Sequence, residues 1–143
     1  MKKIIGDDEI LNTITEIITP FIFVLGIYII LNGHISPGGG FSGGTVLGAG
    51  LILYGEAFNI HEIRKLFDFN IFTKAISFSL LFYGCAKGYS FITGAANIDS
   101  NIPLGTPGKI LSGGLILPLN IAIGIIVACI IYGLYALFYE GDI

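Results

Sequence analysis

The sequence predicts an all-α integral membrane protein with four transmembrane helices, forming a single domain over residues 1–143. Of the 143 residues, 54% are hydrophobic and only 12% are charged, whereas soluble domains carry roughly 25% charged residues. The charged residues fall mainly between four apolar runs, each close to the length of about 20 residues that a helix needs to cross a bilayer. The runs cover residues 10–31, 41–58, 71–93 and 115–138.

The first run, 10–31, holds two residues that are unusual inside a transmembrane helix, Glu16 and Pro20. Proline has no amide hydrogen to donate, so Pro20 predicts either a kink or a change from a short amphipathic turn to the true span. Acidic residues come before the run, and the run is too long for a signal core. We therefore expect no cleavable signal peptide.

The second run, 41–58, is rich in glycine. Gly40, Gly44 and Gly48 recur at every fourth position, which places them on one face of a helix. Small residues at this spacing let helix backbones approach closely in lipid, so the stripe predicts helix packing. The same face continues to Glu56, which puts this acid on the close-packed side of the helix rather than towards lipid.

The third and fourth runs each contain polar residues near one end. Lys87 lies inside the third run, and Asn120 lies near the start of the fourth run, close to Pro118. Cys85 and Cys129 belong to the same two runs. Thiols in such apolar surroundings are usually buried packing residues, and two of them define neither a disulfide nor a metal site.

The positive charges predict the orientation of the chain. With four spans, the N-terminus, the segment 59–69 and the C-terminus share one side of the membrane. Cytoplasmic loops are enriched in Lys and Arg, so both termini are expected to be cytoplasmic, in a multi-pass protein of the cell membrane. The five basic residues on that side are Lys2, Lys3, Arg64, Lys65 and Lys74, against Lys109 on the other side.

Counted at 1.5 Å per residue, the polar side chains in the spans form two layers. His34, Lys87 and Asn120 fall in the outer third of the membrane, and Glu16 and Glu56 fall near the inner interface. An ionisable residue within a span is a functional candidate by default, so these residues are candidates for an ion path.

Each candidate also has a structural interpretation. Lys87 could extend towards the outer headgroups, and Asn120 could satisfy backbone carbonyls freed by the neighbouring proline. Glu16 and Glu56 could be solvated helix ends, and His34 could cap the loop.

The residues exclude several classes of function. No basic patch is present for nucleic acid, and no residue set predicts catalysis, a metal site or a cofactor. The two histidines, His34 and His61, fall on opposite membrane faces and could not ligate one haem iron. Two classes remain. One is a self-contained homo-oligomeric carrier with Glu56 or Lys87 as its ion site. The other is a non-catalytic subunit of a larger membrane complex, which the abundant glycine favours.

The sharpest motif lies between the first two runs. Its G-x-G-x-x-G spacing does not predict a dinucleotide site, because that site needs a preceding strand and an apolar helix-length run precedes it here. The string resembles the signature of the B subunit of Mrp-type multisubunit sodium/proton antiporters, the MnhB-like family. The string is Gly33-His34-x-x-Pro37-Gly38-Gly39-Gly40-Phe41-x-Gly43-Gly44.

A second patch, at Leu104–Pro107, 111–114 and 118–120, also resembles that family. It is most similar to versions in Mrp-linked assemblies such as energy-converting membrane-bound hydrogenases and reductases. The parent complex therefore has two alternatives, a stand-alone antiporter or the same module within such a redox complex.

The resemblance implies a small, non-catalytic membrane subunit that contributes to assembly and to the cation and proton path. Its partners would be large subunits similar to the proton-pumping subunits of respiratory complex I, together with other small subunits. The transported ions would be Na+ and H+. Because negative charge suits a cation, the resemblance makes Glu16, Glu56 and Asp99 cation-facing candidates, with Lys87 as a gate or proton carrier.

Overall fold

The structure, a computed structural model, describes residues 5–33, 38–58, 69–95 and 115–140. Within these ranges the chain forms four helices and no strand, which confirms the predicted all-α class for the part that is described. The number of membrane crossings and the side on which the termini lie remain predictions. The helices are α1 (Ile5–Leu31), α2 (Gly39–Phe58), α3 (Phe69–Ala95) and α4 (Ile116–Glu140).

Helix α2 lies at the centre of the bundle. It packs along both α1 and α4, which touch each other less, and α3 packs mainly on α4. Gly40 lies beside Asn120 and Gly48 lies beside Ala128, so α2 and α4 run in the same direction. Helix α1 runs against α2, because Gly43 lies beside Ile30 and Gly50, later in α2, lies beside Ile22, earlier in α1.

Helix α1 is continuous through Pro20. It begins at Ile5, five residues before the predicted start of the first span, and ends at Leu31. A proline inside a helix removes one backbone hydrogen bond. In α1 this leaves the helix unbroken, so the predicted change from a separate amphipathic turn to a span does not occur.

The bundle exposes large apolar side chains and buries small ones. Four phenylalanines on its surface are between 72% and 79% exposed: Phe21, Phe78, Phe91 and Phe138. The residues buried from α2 are seven glycines and Ala57. A soluble domain rarely shows such extensive exposed apolar surface, and this distribution fits a lipid environment.

Two helical segments, Glu9–Leu31 and Ile116–Tyr139, are long and apolar enough to cross a membrane, judged by length and composition among the described residues. Helices α2 and α3, with 20 and 27 residues, are also long enough to cross a membrane, but their glycine, serine and charged residues lower their mean hydropathy. The coarser prediction of an all-helical chain with membrane-compatible helices therefore holds, and four spans stay a prediction.

The expectation that both thiols are buried is wrong for Cys85. This residue is exposed on α3, whereas Cys129 on α4 is half-buried. The reason lies in the position of α3, which packs mainly on one neighbour and leaves most of its circumference open. An apolar run predicts a helix, but it does not say how many sides of that helix are covered.

Candidate functional site: two polar ends of a glycine-packed bundle

The stripe predicted on α2 lies against α4. A methyl group placed on Gly44 would sit 2.6 Å from the carbonyl oxygen of Gly124, and one placed on Gly48 would sit 3.0 Å from Cβ of Ile131. Backbone carbonyls cannot move aside as side chains can, so the contact at Gly44 is the less forgiving. Close packing of this kind holds helices together where lipid removes the hydrophobic drive for association.

A second glycine face on α2 lies against α1. A methyl group on Gly43 would lie 2.5 Å from Cγ1 of Ile30, and the same group on Gly26 of α1 would lie 2.7 Å from Cδ2 of Leu47. Ile30 also reaches Gly124 of α4, at 2.5 Å from a methyl group placed there. This side chain therefore fills the space between three helices, and it is only 7% exposed.

The motif glycines close one end of the bundle around Asn120. A methyl group on Gly33 would lie 2.6 Å from Nδ2 of Asn120, and one on Gly39 would lie 3.2 Å from its Oδ1. A methyl group on Gly40 would likewise collide with the backbone oxygen of Asn120. The Asn120 Nδ2 atom is buried and has no hydrogen-bond partner within the described part of the chain.

Backbone conformation explains two of the motif glycines. Gly38 has φ 113° and Gly39 has φ 45°, values that residues with a Cβ rarely adopt. This turn leads the chain into α2, and Phe41 just inside the helix is 67% exposed. His34 and Pro37, which complete the predicted motif, lie outside the described residues.

The opposite end of the bundle holds Glu56. Its Oε1 accepts a 2.6 Å hydrogen bond from the phenol of Tyr135 on α4, and the carboxylate is otherwise exposed. The side chain thus points along the α4-facing side of α2, as the stripe predicted. Aromatic contacts extend this site. The ring of Phe72 stacks on that of Tyr132, with 5.1 Å between their centroids, and the ring centroids of Tyr132 and Tyr135 are 6.3 Å apart.

Glu16 lies at the same end as Glu56. Helices α1 and α2 run in opposite directions, and Ile22 lies beside Gly50. Glu16 comes six residues before Ile22 and Glu56 comes six residues after Gly50, so the two acids lie at the same level along the bundle. Glu16 is exposed. The structure therefore places both acids at one end of the bundle, but on different helices and without a contact between them.

Lys87 lies towards the Asn120 end. Phe72 stacks on Tyr132, and Ala75, further along α3, lines one hollow with Ile125 and Ala128, earlier in α4. Helix α3 therefore runs against α4, and the level of Lys87 corresponds to about Leu117, close to Asn120. Lys87 is exposed. The third residue predicted for this layer, His34, lies outside the described residues, as does Asp99 in the connection between α3 and α4.

Sequence reasoning missed three residues of these ends. Tyr135 donates a hydrogen bond to Glu56. The available signal was the spacing of Tyr132, Tyr135 and Tyr139, which places three phenol rings along one side of the last span. Thr15 and Thr19 are 1% and 4% exposed, and their hydroxyls have no hydrogen-bond partner among the described residues. Their four-residue spacing on α1 indicates one buried face.

Comparisons with known proteins agree on one family. A family model described as "Domain related to MnhB subunit of Na+/H+ antiporter" matches residues 10–133. The B subunit of the Na(+)/H(+) antiporter of Alkalihalophilus pseudofirmus is 38% identical over 81 residues, which are 57% of this chain and 56% of the relative. The putative antiporter subunit mnhB2 of Staphylococcus haemolyticus is 39% identical over 59 residues, 41% of this chain and 42% of the relative. The chain thus spans about half the length of the curated relatives it matches.

Proposed function

The chain belongs to the family of domains related to the MnhB subunit of Na+/H+ antiporters, and from this we propose that it is a small, non-catalytic subunit of a multisubunit Mrp-type sodium/proton antiporter. The observation that carries the proposal is the family match over residues 10–133, which includes most of α1 and α4 and the whole of α2 and α3. In this role the chain forms part of the membrane arm and contributes to the cation and proton path.

The proposed arrangement is a multi-pass protein of the cell membrane with four spans and both termini in the cytoplasm. The exposed apolar surface of the bundle and the excess of basic residues on one side support it. In this orientation the Asn120 end of the bundle faces outward, and the Glu56 end faces the cytoplasm.

The two polar ends give the proposed contribution to ion movement. Carboxylates at the Glu56 end attract a cation and can exchange protons, while amide, imidazole and ammonium groups at the Asn120 end offer polar entry points. The Tyr135 phenol donates to Glu56 and orients its carboxylate, so the second oxygen stays available for water or a cation. The proposed ion-path residues are Glu16, Glu56, Asp99, His34, Lys87 and Asn120.

Two alternatives remain open. The same module works in some energy-converting membrane-bound hydrogenase and reductase complexes, and the second sequence patch favours that parent assembly. In that case the redox chemistry belongs to other chains. A self-contained homo-oligomeric carrier is the second alternative, with Glu56 or Lys87 as its ion site.

Purification from native membranes tests the proposal. A tagged chain is extracted in mild detergent, and the proteins that accompany it are identified by mass spectrometry. We expect several hydrophobic antiporter-type subunits, both large and small. Additional soluble redox subunits would identify the hydrogenase or reductase assembly. A chain that emerges alone as a homo-oligomer would overturn the subunit proposal in favour of the carrier.

A further inference from the structure

The second half of α3 carries a charge that the described structure does not neutralise. Lys87 is exposed and has no hydrogen-bond or ion-pair partner among the residues that the structure describes. It lies eight residues before the end of α3 at Ala95, or about 12 Å along the axis. A lysine stem covers only part of that distance. An ionised group at such depth in a membrane needs a partner.

Lys87 is part of a shallow recess on the helix surface. Gly84 lies three residues before Lys87 and four before Gly88, so the three residues are neighbours on the helix. A methyl group placed on either glycine meets no described atom within 4 Å. Leu81 and Phe91, which are 67% and 77% exposed, stand at the two ends. We call Gly84, Lys87 and Gly88 with these two flanking residues the Gly84 patch.

The glycines of this patch turn away from the rest of the bundle. Helix α3 meets α4 through Phe72, which stacks on Tyr132. Ser79, seven residues or about two helical turns further on, lies on the same face and is only 5% exposed. Gly88 follows Ser79 by nine residues, or two and a half helical turns, and therefore lies on the opposite side of α3. Among the described residues, no helix covers that side.

We propose that the Gly84 patch is the docking surface for a transmembrane helix of another subunit, and that this helix carries an Asp or Glu side chain against Lys87. The inference rests on the proposed function, because it requires a membrane partner. Two glycines one turn apart let a partner backbone approach closely. Charge complementarity fixes the chemistry of the partner, since a carboxylate is the group that neutralises an ammonium inside a membrane.

Charge also argues against a second copy of this chain. Symmetric helix pairs on small residues bring each residue close to its own copy. A pair formed on Gly84 and Gly88 would bring the two Lys87 ammonium groups together, and like charges repel strongly in low dielectric. Lipid tails would cover the apolar flanks, but they would leave the charge of Lys87 without a partner.

Photo-crosslinking within the purified complex tests this surface. A photoreactive phenylalanine analogue replaces Phe91 in the patch or, as a matched control, Phe78. Both positions are on α3 and are similarly exposed, at 77% and 74%, but they point about 140° apart, as 3.6 residues per turn requires. We expect the Phe91 probe to capture another subunit, within about one turn of an acidic residue in an apolar segment, and the Phe78 probe to capture lipid.

Charge substitution gives a second readout. We expect Lys87→Glu to reduce recovery of the captured subunit at least tenfold, and reversal of the partner's acid to Lys to restore it. Lys87→Met, which keeps the apolar stem, should lose less. Lys74→Glu is the matched control, because Lys74 is also exposed on α3 but lies at the other end, and it should leave recovery unchanged.

The two proposals fail in different ways. If antiporter-type subunits co-purify but the Phe91 probe captures only lipid, a second copy or this chain itself, the docking inference is wrong and the subunit proposal stands. Capture of a helix without an acidic residue, or Lys87→Glu with full recovery, also overturns the inference. If the chain purifies alone, the proposed function fails first.

Discussion

Tyr135 on α4 donates a 2.6 Å hydrogen bond to Oε1 of Glu56 on α2, so a helix other than its own orients this carboxylate. The distance lies within the range of charge-assisted hydrogen bonds between a hydroxyl and a carboxylate. The bond also spans the glycine-packed seam between the two helices. The position of the acid therefore depends on how closely α2 and α4 approach.

Removing either partner of this bond should impair transport by the assembled complex. Tyr135→Phe keeps the ring but loses the donor, so the carboxylate is no longer oriented. Glu56→Gln keeps the shape but loses the charge that would attract a cation. We expect each to lower sodium-driven proton movement in inverted membrane vesicles about tenfold, the size of effect expected for about 1.4 kcal/mol.

Tyr139→Phe is the matched control for this pair. Tyr139 belongs to the same ring series, at 6.0 Å from Tyr135, and it is 51% exposed. Its loss of a hydroxyl should leave transport unchanged. Wild-type transport in Glu56→Gln, with the complex assembled, would remove Glu56 from the ion path and leave it a solvated helix end.

The α2–α4 seam should respond to added methyl groups in a graded way. At Gly44 an alanine methyl meets the backbone oxygen of Gly124 at 2.6 Å, whereas at Gly48 it meets the movable side chain of Ile131 at 3.0 Å. We expect Gly44→Ala to lower stability by about 3 kcal/mol and Gly48→Ala by about 1 kcal/mol, within the usual range for overpacking. Thermal unfolding of the purified chain in detergent measures both.

Gly133→Ala provides the baseline for this series. A methyl group on Gly133 of α4 meets no described atom within 4 Å, so this change should be neutral or slightly stabilising, since alanine favours helix more than glycine does. Gly44→Leu and Gly48→Leu should lower stability further. We expect these two variants to be lost from the complex, because α2 and α4 can no longer pack closely. Equal stability of Gly44→Ala and Gly133→Ala would contradict the packing described.

Helical spacing was enough to group residues on one face, but not to identify what covers that face. Gly40, Gly44 and Gly48 share a face by their four-residue spacing alone, and Glu56 continues it. That α4 is the neighbour depends on tertiary packing, which a periodic pattern does not encode. For the same reason the donor to Glu56, Tyr135, was not found from the sequence.

Exposure was the least predictable property. In a soluble protein an apolar run predicts burial, but in a membrane bundle the same run predicts only a helix, because lipid accepts apolar side chains as readily as the core does. Cys85 is an example, because it lies in an apolar run but on a helix that packs mainly on one neighbour. The buried hydroxyls of Thr15 and Thr19 were missed for the converse reason, since small polar residues in an apolar run carry no sign of where they point.

The turn into α2 should not tolerate side chains. Gly38 and Gly39 have φ values of 113° and 45°, and an L-residue in the left-handed region costs about 1–2 kcal/mol. At Gly39 a methyl would also lie 3.1 Å from the carbonyl oxygen of Gly33. We expect Gly38→Ala and Gly39→Ala each to lower the unfolding temperature in detergent.

Gly94→Ala is the control for the turn, because a methyl group on Gly94 in α3 meets no described atom within 4 Å and the residue lies within a helix. It should leave the unfolding temperature unchanged or slightly raised. If Gly38→Ala matched Gly94→Ala, the turn would have to adopt another backbone conformation at no cost.

Substitutions at Thr15 and Thr19 can distinguish a structural role of their hydroxyls from a role in transport. Both hydroxyls are buried and have no hydrogen-bond partner among the described residues, and leaving such a group unsatisfied costs about 1–3 kcal/mol. Valine has nearly the same shape without the hydroxyl. We therefore expect Thr15→Val and Thr19→Val to leave thermal stability unchanged or to raise it by about 1 kcal/mol.

Transport by the same variants decides what these hydroxyls do. They belong to the half of α1 that lies towards Glu56, where a chain of polar groups could hold water beside the acid. If they serve only packing, Thr15→Val and Thr19→Val keep both assembly and transport. A stable, assembled variant with transport reduced tenfold would place the hydroxyls on the ion path, and Thr19→Ser, which restores the hydroxyl, should then recover the activity that Thr19→Val loses. A fall in stability with valine would instead show that the hydroxyls are satisfied in the native membrane complex.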